Sequence, residues 1–327
     1  TADSWNYSIE SWLYITGTDV AKRLGIEGYY LRTVPPELDG RSTPKQGHVT
    51  LRSDPPGREG VPVSEVVSVD ALCLVRFGLR RADDPRILNT LKAIDATLRV
   101  ETPRGPSWRR YVGDGYGEHA DGSPYLKRNG TIGRAWPLLT GERGHYELMA
   151  GRRAEAERLA RAMADQAGDG GMIPEQVWDA DDIPEKGLFK GRPTDSAAPL
   201  IWAHAEYVKL LRSLRDGAVF DLPPQTACRY LERGVTTDRV IWRLDHPREV
   251  IAEGEVLRVV LDAPAKVRWT VDRWANTCEV DTRDSTVGTY YADLDTKNLP
   301  AGMVVRMKFH WADAHEFEGK TFKVDVV

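Results

Sequence analysis

Residues 133–151 read GRAWPLLTGERGHYELMAG. The run predicts a helix whose early turns hold Pro137, where a missing N–H breaks no hydrogen bond. Glu142 and Arg143 are charges in a segment otherwise apolar enough to be buried, so both need partners. Helical spacing continues downstream through Ala156, Leu159, Ala160, Met163 and Ala167, and again from Ser196 to Leu214. Upstream, Trp5, Ile9, Trp12 and Leu13 open the chain on a helical period that lacks a partner. A nearly all-apolar helix is expected over Val66 to Leu79, buried on most faces. Asp84 caps the next one, with Pro85 in its first position and Ile87, Leu91, Ile94 and Leu98 along one stripe. Residues 1–216 thus hold about six helices and no convincing strand. Between Gly25 and Pro62 the stretches TVPPELDGRSTPKQG and RSDPPGREG are rich in proline, glycine and charge, and read as long loop.

Past Asp221-Leu-Pro-Pro the period changes from helical to two. Val305, Met307, Phe309 and Trp311 alternate with Arg306, Lys308 and His310; Leu257, Val259 and Leu261 do likewise, as do Phe322, Val324 and Val326. One wet and one dry face per strand predict an antiparallel β-sandwich. The expected division is a helical domain over 1–216, a linker over 217–237 and the sandwich over 238–327. Trp269, Trp274 and Trp311 are read as core or scaffold of that sandwich.

The chain has 327 residues, enough for two domains. Its 45 Lys and Arg nearly balance 49 Asp and Glu, which argues against a nucleic-acid binder and for a neutral partner. Ten Trp and twelve Tyr against six Phe suit platforms that also hydrogen-bond, as sugars require, although a helical core uses Trp too. Cys73, Cys228 and Cys278 are too scattered for a zinc pattern or a disulfide framework. No apolar stretch approaches the roughly 20 residues that span a bilayer.

Carboxylates lead the candidates for chemistry. The segment GGMIPEQVWD, residues 170–179, places Glu175 after a glycine turn, beside Pro174 and with Trp178 as an aromatic wall. Read by composition alone, a loop Glu is most often a solvated surface residue. Arg109, Arg110 and Tyr111 precede Asp114-Gly-Tyr-Gly-Glu118, joining cations to acceptors in a loop broken by glycine; the bland alternative is a surface ion-pair cluster. Asp179, Asp181 and Asp182 offer a structural Ca²⁺ site, against which stands a plain solvated acidic turn, since DADD lacks EF-hand spacing. No cofactor is expected.

RYVGDGYGE, WPLLTGERGHYEL and IPEQVWD, in that order, resemble the second half of the catalytic barrel of bacterial glucoamylases and glucodextranases. TADSWNYSIESW, ALCLVRFGLRRADDP and APLIWAHAEYVKLL are similar to helices of the same barrel, so the resemblance covers about residues 1–216. It implies half of an (α/α)6 barrel, followed by the sandwich, in an exo-acting inverting α-glucosidase that releases β-glucose from non-reducing ends of an α-glucan. Under it, Glu175 matches the general base, Arg110 an arginine that binds the terminal glucose, and Tyr111 and Trp136 fall beside the pocket. Two departures stand out. The family's general acid is the first Glu of a Trp-Glu-Glu segment that is absent here, and ALCLVR carries Cys73 where the family pattern has an acidic residue. The implied remedy is a second polypeptide, or an excised upstream segment, carrying the other half-barrel and the acid. A secreted or periplasmic location is likewise implied by the family. Two other readings stay open: a non-catalytic glucan-binding protein, and another helical-barrel enzyme such as a polysaccharide lyase.

Overall fold

A computed structural model describes residues 2–34, 47–51, 60–125, 130–245, 247–312 and 319–327. The described residues divide into two compact units, one within 13–34 and 47–234, the other within 2–12 and 235–327. Much of the expected long loop, residues 35–46 and 52–59, lies outside the described residues.

The chain starts in α1 (Ala2–Leu13), followed by β1 (Tyr14–Thr16), α2 (Asp19–Leu24) and β2 (Gly28–Tyr30), with β1 and β2 antiparallel. Next come β3 (His48–Val49) and β4 (Val61–Pro62), then α3 (Cys73–Arg76), α4 (Pro85–Thr97), β5 (Arg99–Thr102) and β6 (Gly105–Trp108). Then come α5 (Pro137–Met149), α6 (Arg153–Asp165) and α7 (Ile201–Asp216), and a short helical turn at Pro224–Thr226 runs into a π-helical stretch at Ala227–Glu232, inside the residues expected as linker. Asp84 caps α4 by accepting from the Arg86 N–H at 2.8 Å, with Pro85 in the first turn as its sequence required. Ile87 and Ile94 are fully buried.

Three expectations are corrected. The helical region contains strands, the short pairs β1–β2, β3–β4 and β5–β6. The long helix expected over Val66–Leu79 is reduced to a 3₁₀ turn at Asp70–Leu72 and the single turn α3. The reason is competition for backbone: Val69 N–H donates to Arg110 O at 3.4 Å, and Val67 O accepts from Val112 N–H at 2.9 Å. β-branched valines suit that extended pairing better than a helix. The helix expected from Ser196 begins instead at Ile201, since Pro199 disfavours helical backbone before it.

The other unit holds β7 (Arg239–Arg243), β8 (Val250–Ile251), β9 (Val256–Leu261), β10 (Ala265–Thr270), β11 (Cys278–Asp281), β12 (Arg283–Asp284), β13 (Tyr290–Leu294), β14 (Val304–Trp311) and β15 (Phe322–Val326). They form a five-stranded sheet ordered β11-β10-β14-β15-β8 and a four-stranded sheet ordered β12-β13-β9-β7. Alternate residues of both sheets meet in one core, where Trp242 lies 5.0 Å from Phe322 and 5.5 Å from Phe309, centroid to centroid. Trp269 is buried there and Trp311 packs against it, whereas Trp274 is half-exposed in the loop after β10. Pairing is mostly antiparallel, with parallel contacts at β7–β9 and β15–β8. Residues of α1, read from the sequence as part of the helical region, group with these sheets. Its buried side carries Ser4 and Ser8, and Arg248 donates to Ser8 Oγ at 3.4 Å while lying 5.7 Å from the Trp12 ring. Trp5 stays 55% exposed.

In the helical unit α5 is the central element, buried almost throughout and packed on α6 and α7. Its GERG sequence makes that approach possible. A Cβ at Gly141 would stand 2.8 Å from Glu206 Cγ and 2.9 Å from Met163 Sδ. Glu206 cannot yield, because Arg76 grips it through two bonds of 2.7 and 3.0 Å and His145 Nδ1 lies 2.8 Å away. Arg76 also binds Asp221; burial works against that carboxylate, yet Arg76 and Lys209 hold it down at about 2. The charges of the GERG run divide. Arg143 finds Asp95 at 2.7 and 2.9 Å and Glu147 at 2.7 Å. Glu142 makes no hydrogen bond among the described residues, and burial followed by the charge of Glu206 pushes its carboxyl up to about 7. Gly141→Ala should therefore destabilise the protein by about 1–3 kcal/mol, because overpacking against a clamped neighbour outweighs the gain of about 1 kcal/mol in helix propensity. Urea denaturation checks this, and a rise in midpoint would show that the helices relax apart.

Candidate active site

Short backbone bridges draw the three motif segments together: Ser68 with Tyr111, Trp108 with Trp136, Ala135 with Val177, and Val177 with Pro193. Their hydrogen bonds include Trp136 N–H to Trp108 O and Val177 N–H to Ala135 O, both 2.9 Å. The loop after β6, the start of α5 and the loop at Pro174 are thereby stitched edge to edge, although 39 and 42 residues separate Trp136 from Glu175 and Ala135 from Val177.

Arg110 stands at the centre of this lattice. Its Nε and Nη2 bind Asp114 at 2.7 and 2.9 Å, leaving Nη1 without a bond among the described residues. The guanidinium lies 4.8 Å from the Trp136 ring, 5.2 Å from Tyr116 and 5.6 Å from Tyr111. Asp114, 7% exposed, also accepts from the Tyr116 N–H at 3.1 Å, so this is a buried and ordered pair, not a surface cluster. Glu175 is half-buried beside it. Burial raises its carboxyl above the usual range, while the hydroxyl of Tyr116, which donates to it, and the charge of Arg110 pull the other way. Its backbone is fixed by a 2.8 Å bond from its N–H to Ala197 O.

The remaining expected site residues fall differently. Tyr111 is half-buried with Arg32 stacked 4.1 Å from its ring. Trp136 is 3% exposed and lies under Arg110, so it supports the guanidinium and offers little face of its own. Trp178, expected as an aromatic wall, is fully buried: Arg134 covers it at 4.0 Å and its indole N–H donates to Asp181 O at 2.7 Å. It belongs to the scaffold. Asp179 is equally occupied, bound by Arg109 at 2.6 Å and by the buried Arg134 at 3.0 Å. Each oxygen of Asp179 already accepts from a guanidinium, whose charge disfavours a cation beside it, and Asp182 accepts from the Lys190 N–H at 2.8 Å. Among the described residues no group of three or more His, Cys, Asp or Glu is placed to hold a metal ion. No described helix is long and apolar enough to cross a membrane.

Tyr116 and Tyr125 were not singled out from the sequence. They are 39% and 41% exposed and meet edge to face at 5.2 Å, forming an open aromatic corner beside Glu175 and Arg110. Tyr116 sits inside the DGYGE motif, which was a signal; nothing around Tyr125 sets it apart. Gln176, 2% exposed, donates through Nε2 to Tyr116 O at 2.8 Å and so ties that corner to the Glu175 loop. The arrangement presents one carboxylate, one guanidinium N–H and aromatic edges on a rigid floor. That set can accept a proton and hold hydroxyls.

The sequence profile described as Glycosyl hydrolases family 15 matches residues 41–212. A glucoamylase from Clostridium sp. (strain G0005) is 48% identical over 169 residues, 52% of this chain and 22% of that protein. A solved bacterial glucoamylase, in complex with acarbose, superposes over 70% of this chain and 31% of its own, with a TM-score of 0.59 and 41% identity. The chain thus spans less than a third of either relative. In the solved protein the matching stretch lies within one longer polypeptide, which lends no support to a separate second chain. With the profile covering more than half of its length and the motif residues assembled in one place, this chain belongs to glycosyl hydrolase family 15.

Proposed function

We propose that this chain carries the general base of an exo-acting, inverting α-glucosidase, a glucoamylase-like enzyme that releases β-glucose from the non-reducing ends of α-glucans. The observation that carries the reading is the pairing of half-buried Glu175 with Tyr116 and Arg110 on a floor built by all three motif segments. Inversion requires a base on one face of the sugar and an acid on the other, with the two carboxyls about 6.5–9.5 Å apart. Glu175 activates water. Arg110, oriented by Asp114, uses its remaining Nη1 on a sugar hydroxyl, and Tyr111, Tyr116 and Tyr125 line the approach. No Trp-Glu-Glu segment occurs in the 327 residues, so the acid comes from outside them. The relatives' names, two glucoamylases, favour an α-glucan as substrate, and a secreted or periplasmic location goes with it.

The helical unit is proposed as half of an (α/α)6 barrel and the two-sheet unit as a β-sandwich domain, divided by a linker over residues 217–237. Support for the first comes from α7, where Ile201 is 76%, Trp202 57% and Val208 64% exposed, an apolar face that further barrel helices would cover. Support for the second is the single core shared by both sheets.

Tests are made on the complete protein that carries this chain, acting on maltooligosaccharides. Glu175→Gln should lower turnover by about 10²–10⁴-fold while ligand binding persists. Proton NMR of fresh product should show β-glucose first; α-glucose would exclude inversion. Binding that persists with no turnover in the unaltered protein would point to a glucan-binding protein.

The pH profile follows from the site. A base works ionised, and burial raises the Glu175 carboxyl, so activity should fall with decreasing pH through an acid limb above the ordinary Glu value of about 4.3. Tyr116→Phe removes a donor that stabilises the carboxylate and should move that limb to higher pH. A limb that stays in place would detach Tyr116 from Glu175. Arg110→Lys should cost about 10–100-fold in kcat/KM, since an ammonium cannot bind Asp114 through two bonds and still reach a hydroxyl. Unchanged kinetics would return Arg110 to a structural role.

A further inference from the structure

The outer face of the five-stranded sheet brings like charges together. Across β14, Arg268 stands opposite Lys308 and Arg306 opposite Lys323, all on the side away from the core, with Lys266 on the same side. Side chains directly opposite in an antiparallel pair lie about 4.5–5.5 Å apart at Cβ, where like charges destabilise the sheet. Glu279, with Arg268 at 2.5 Å and Lys266 at 3.3 Å, and Asp281, opposite Lys266 in the β10–β11 register, relieve one end, and Asp325 shares the outer side of β15 with Lys323. Arg306, Lys308 and Lys323 meet no carboxylate among the described residues. On the described strands of this face Lys266, Arg268, Arg306, Lys308 and Lys323 outnumber Glu279, Asp281 and Asp325, in a protein with net charge −4.

Beside them stands an aromatic ring. Trp274 is half-exposed in the β10–β11 loop, with Lys308 Nζ 5.5 Å from its centroid. Arg273 and Trp274 both adopt left-handed backbone, φ 58° and 75°, a conformation costly for side chains of this size. The loop is held there by Asp272, which accepts from Thr270 Oγ1 at 2.7 Å and from Asn276 N–H at 2.9 Å.

We propose that this face, centred on Lys308 and Trp274, binds an acidic polysaccharide. Charge complementarity selects an anionic partner: carboxylates on successive rings would neutralise Arg306, Lys308 and Lys323, which form no ion pair among the described residues. The Trp274 ring selects a sugar within that class, offering an apolar platform to a pyranose face while Lys308 meets the adjoining carboxylate. This inference does not depend on Glu175 or on the reaction proposed for it.

Affinity electrophoresis and titration calorimetry of the 327-residue chain, with polygalacturonate as probe, test it. Dextran serves as the neutral control and a single-stranded oligonucleotide as the anionic control without sugar-ring carboxylates. Polygalacturonate should bind at low ionic strength, weaken as salt rises and exceed both controls. Lys308→Glu should weaken it by about ten-fold or more, and Trp274→Ala by about five-fold. Lys323→Glu is the variant that separates binding from folding. It places a carboxylate opposite Arg306, so it should raise Tm by about 1–4 °C while also weakening polygalacturonate. No binding by the unaltered chain, equal binding by Lys308→Glu and Lys323→Glu, or dextran held as tightly would overturn the proposal. Tighter binding of the oligonucleotide would make the face a nucleic-acid surface and overturn it equally.

Discussion

The carboxylate of Asp179, held between Arg109 and Arg134, is the constraint on which the candidate site rests. Both its oxygens are engaged and Arg134 is 1% exposed. A buried ion of this kind is tolerated only with partners in place, and removing one member of such a group costs about 3–5 kcal/mol. The guanidinium of Arg134 also donates to Glu118 O at 3.0 Å and covers Trp178. One buried cation therefore joins the end of the DGYGE loop to the PEQVWD loop. Arg109, the residue that precedes Arg110, carries the same tie to the PEQVWD loop through Asp179. The pairing of Glu175 with Arg110 and Tyr116 is held in place from below by the buried Asp179 and Arg134, with the partly exposed Arg109 closing the group.

The second organising element is α5. Its N-terminal end is bridged to the strand at Trp108 and the loop at Val177, and its middle lets α6 and α7 approach closely because Gly141 and Gly144 have no Cβ. The cluster of Arg76, Glu206, His145 and Asp221 sits against that contact. It contributes order more than net stability, since the desolvation of four polar groups offsets most of their attraction. Helical scaffold and site are thus coupled through one helix, whose first turn borders the chemistry and whose later turns border the buried ions.

The two units embody different solutions to burial. In the β unit, alternation puts every second residue into a core shared by two sheets, and polar residues of the opposite parity remain outside. That rule is silent about the sign of the outward charges. Lysines and arginines occupy facing positions on β10, β14 and β15, and nothing about sheet folding asks for them there.

Much of this was legible in the linear order of residues. Asp84-Pro85 marked a helix start because a carboxylate cap and a proline at the first position are local chemistry. The two-period runs at 257–261, 305–311 and 322–326 marked strands because parity is local too. The motifs RYVGDGYGE, WPLLTGERGHYEL and IPEQVWD pointed to Glu175, Arg110 and Tyr111 through their resemblance to a family. What the linear order does not contain is which side of a residue meets which neighbour. Trp178 and Glu175 are three positions apart on one loop, yet one is sealed beneath Arg134 and the other half-open beside Tyr116. Asp179 resembled a Ca²⁺ ligand until two arginines from distant segments were found on it. Val66–Leu79 had the composition of a buried helix, and only the pairing of Val67 and Ser68 with the backbone at Tyr111 and Val112 turned its start away from helix. Sequence determined the elements whose causes lie within a few residues; tertiary structure decided burial, charge pairing and the membership of the site, because those depend on groups 40 or more residues away, as in the 45-residue separation of Arg134 and Asp179.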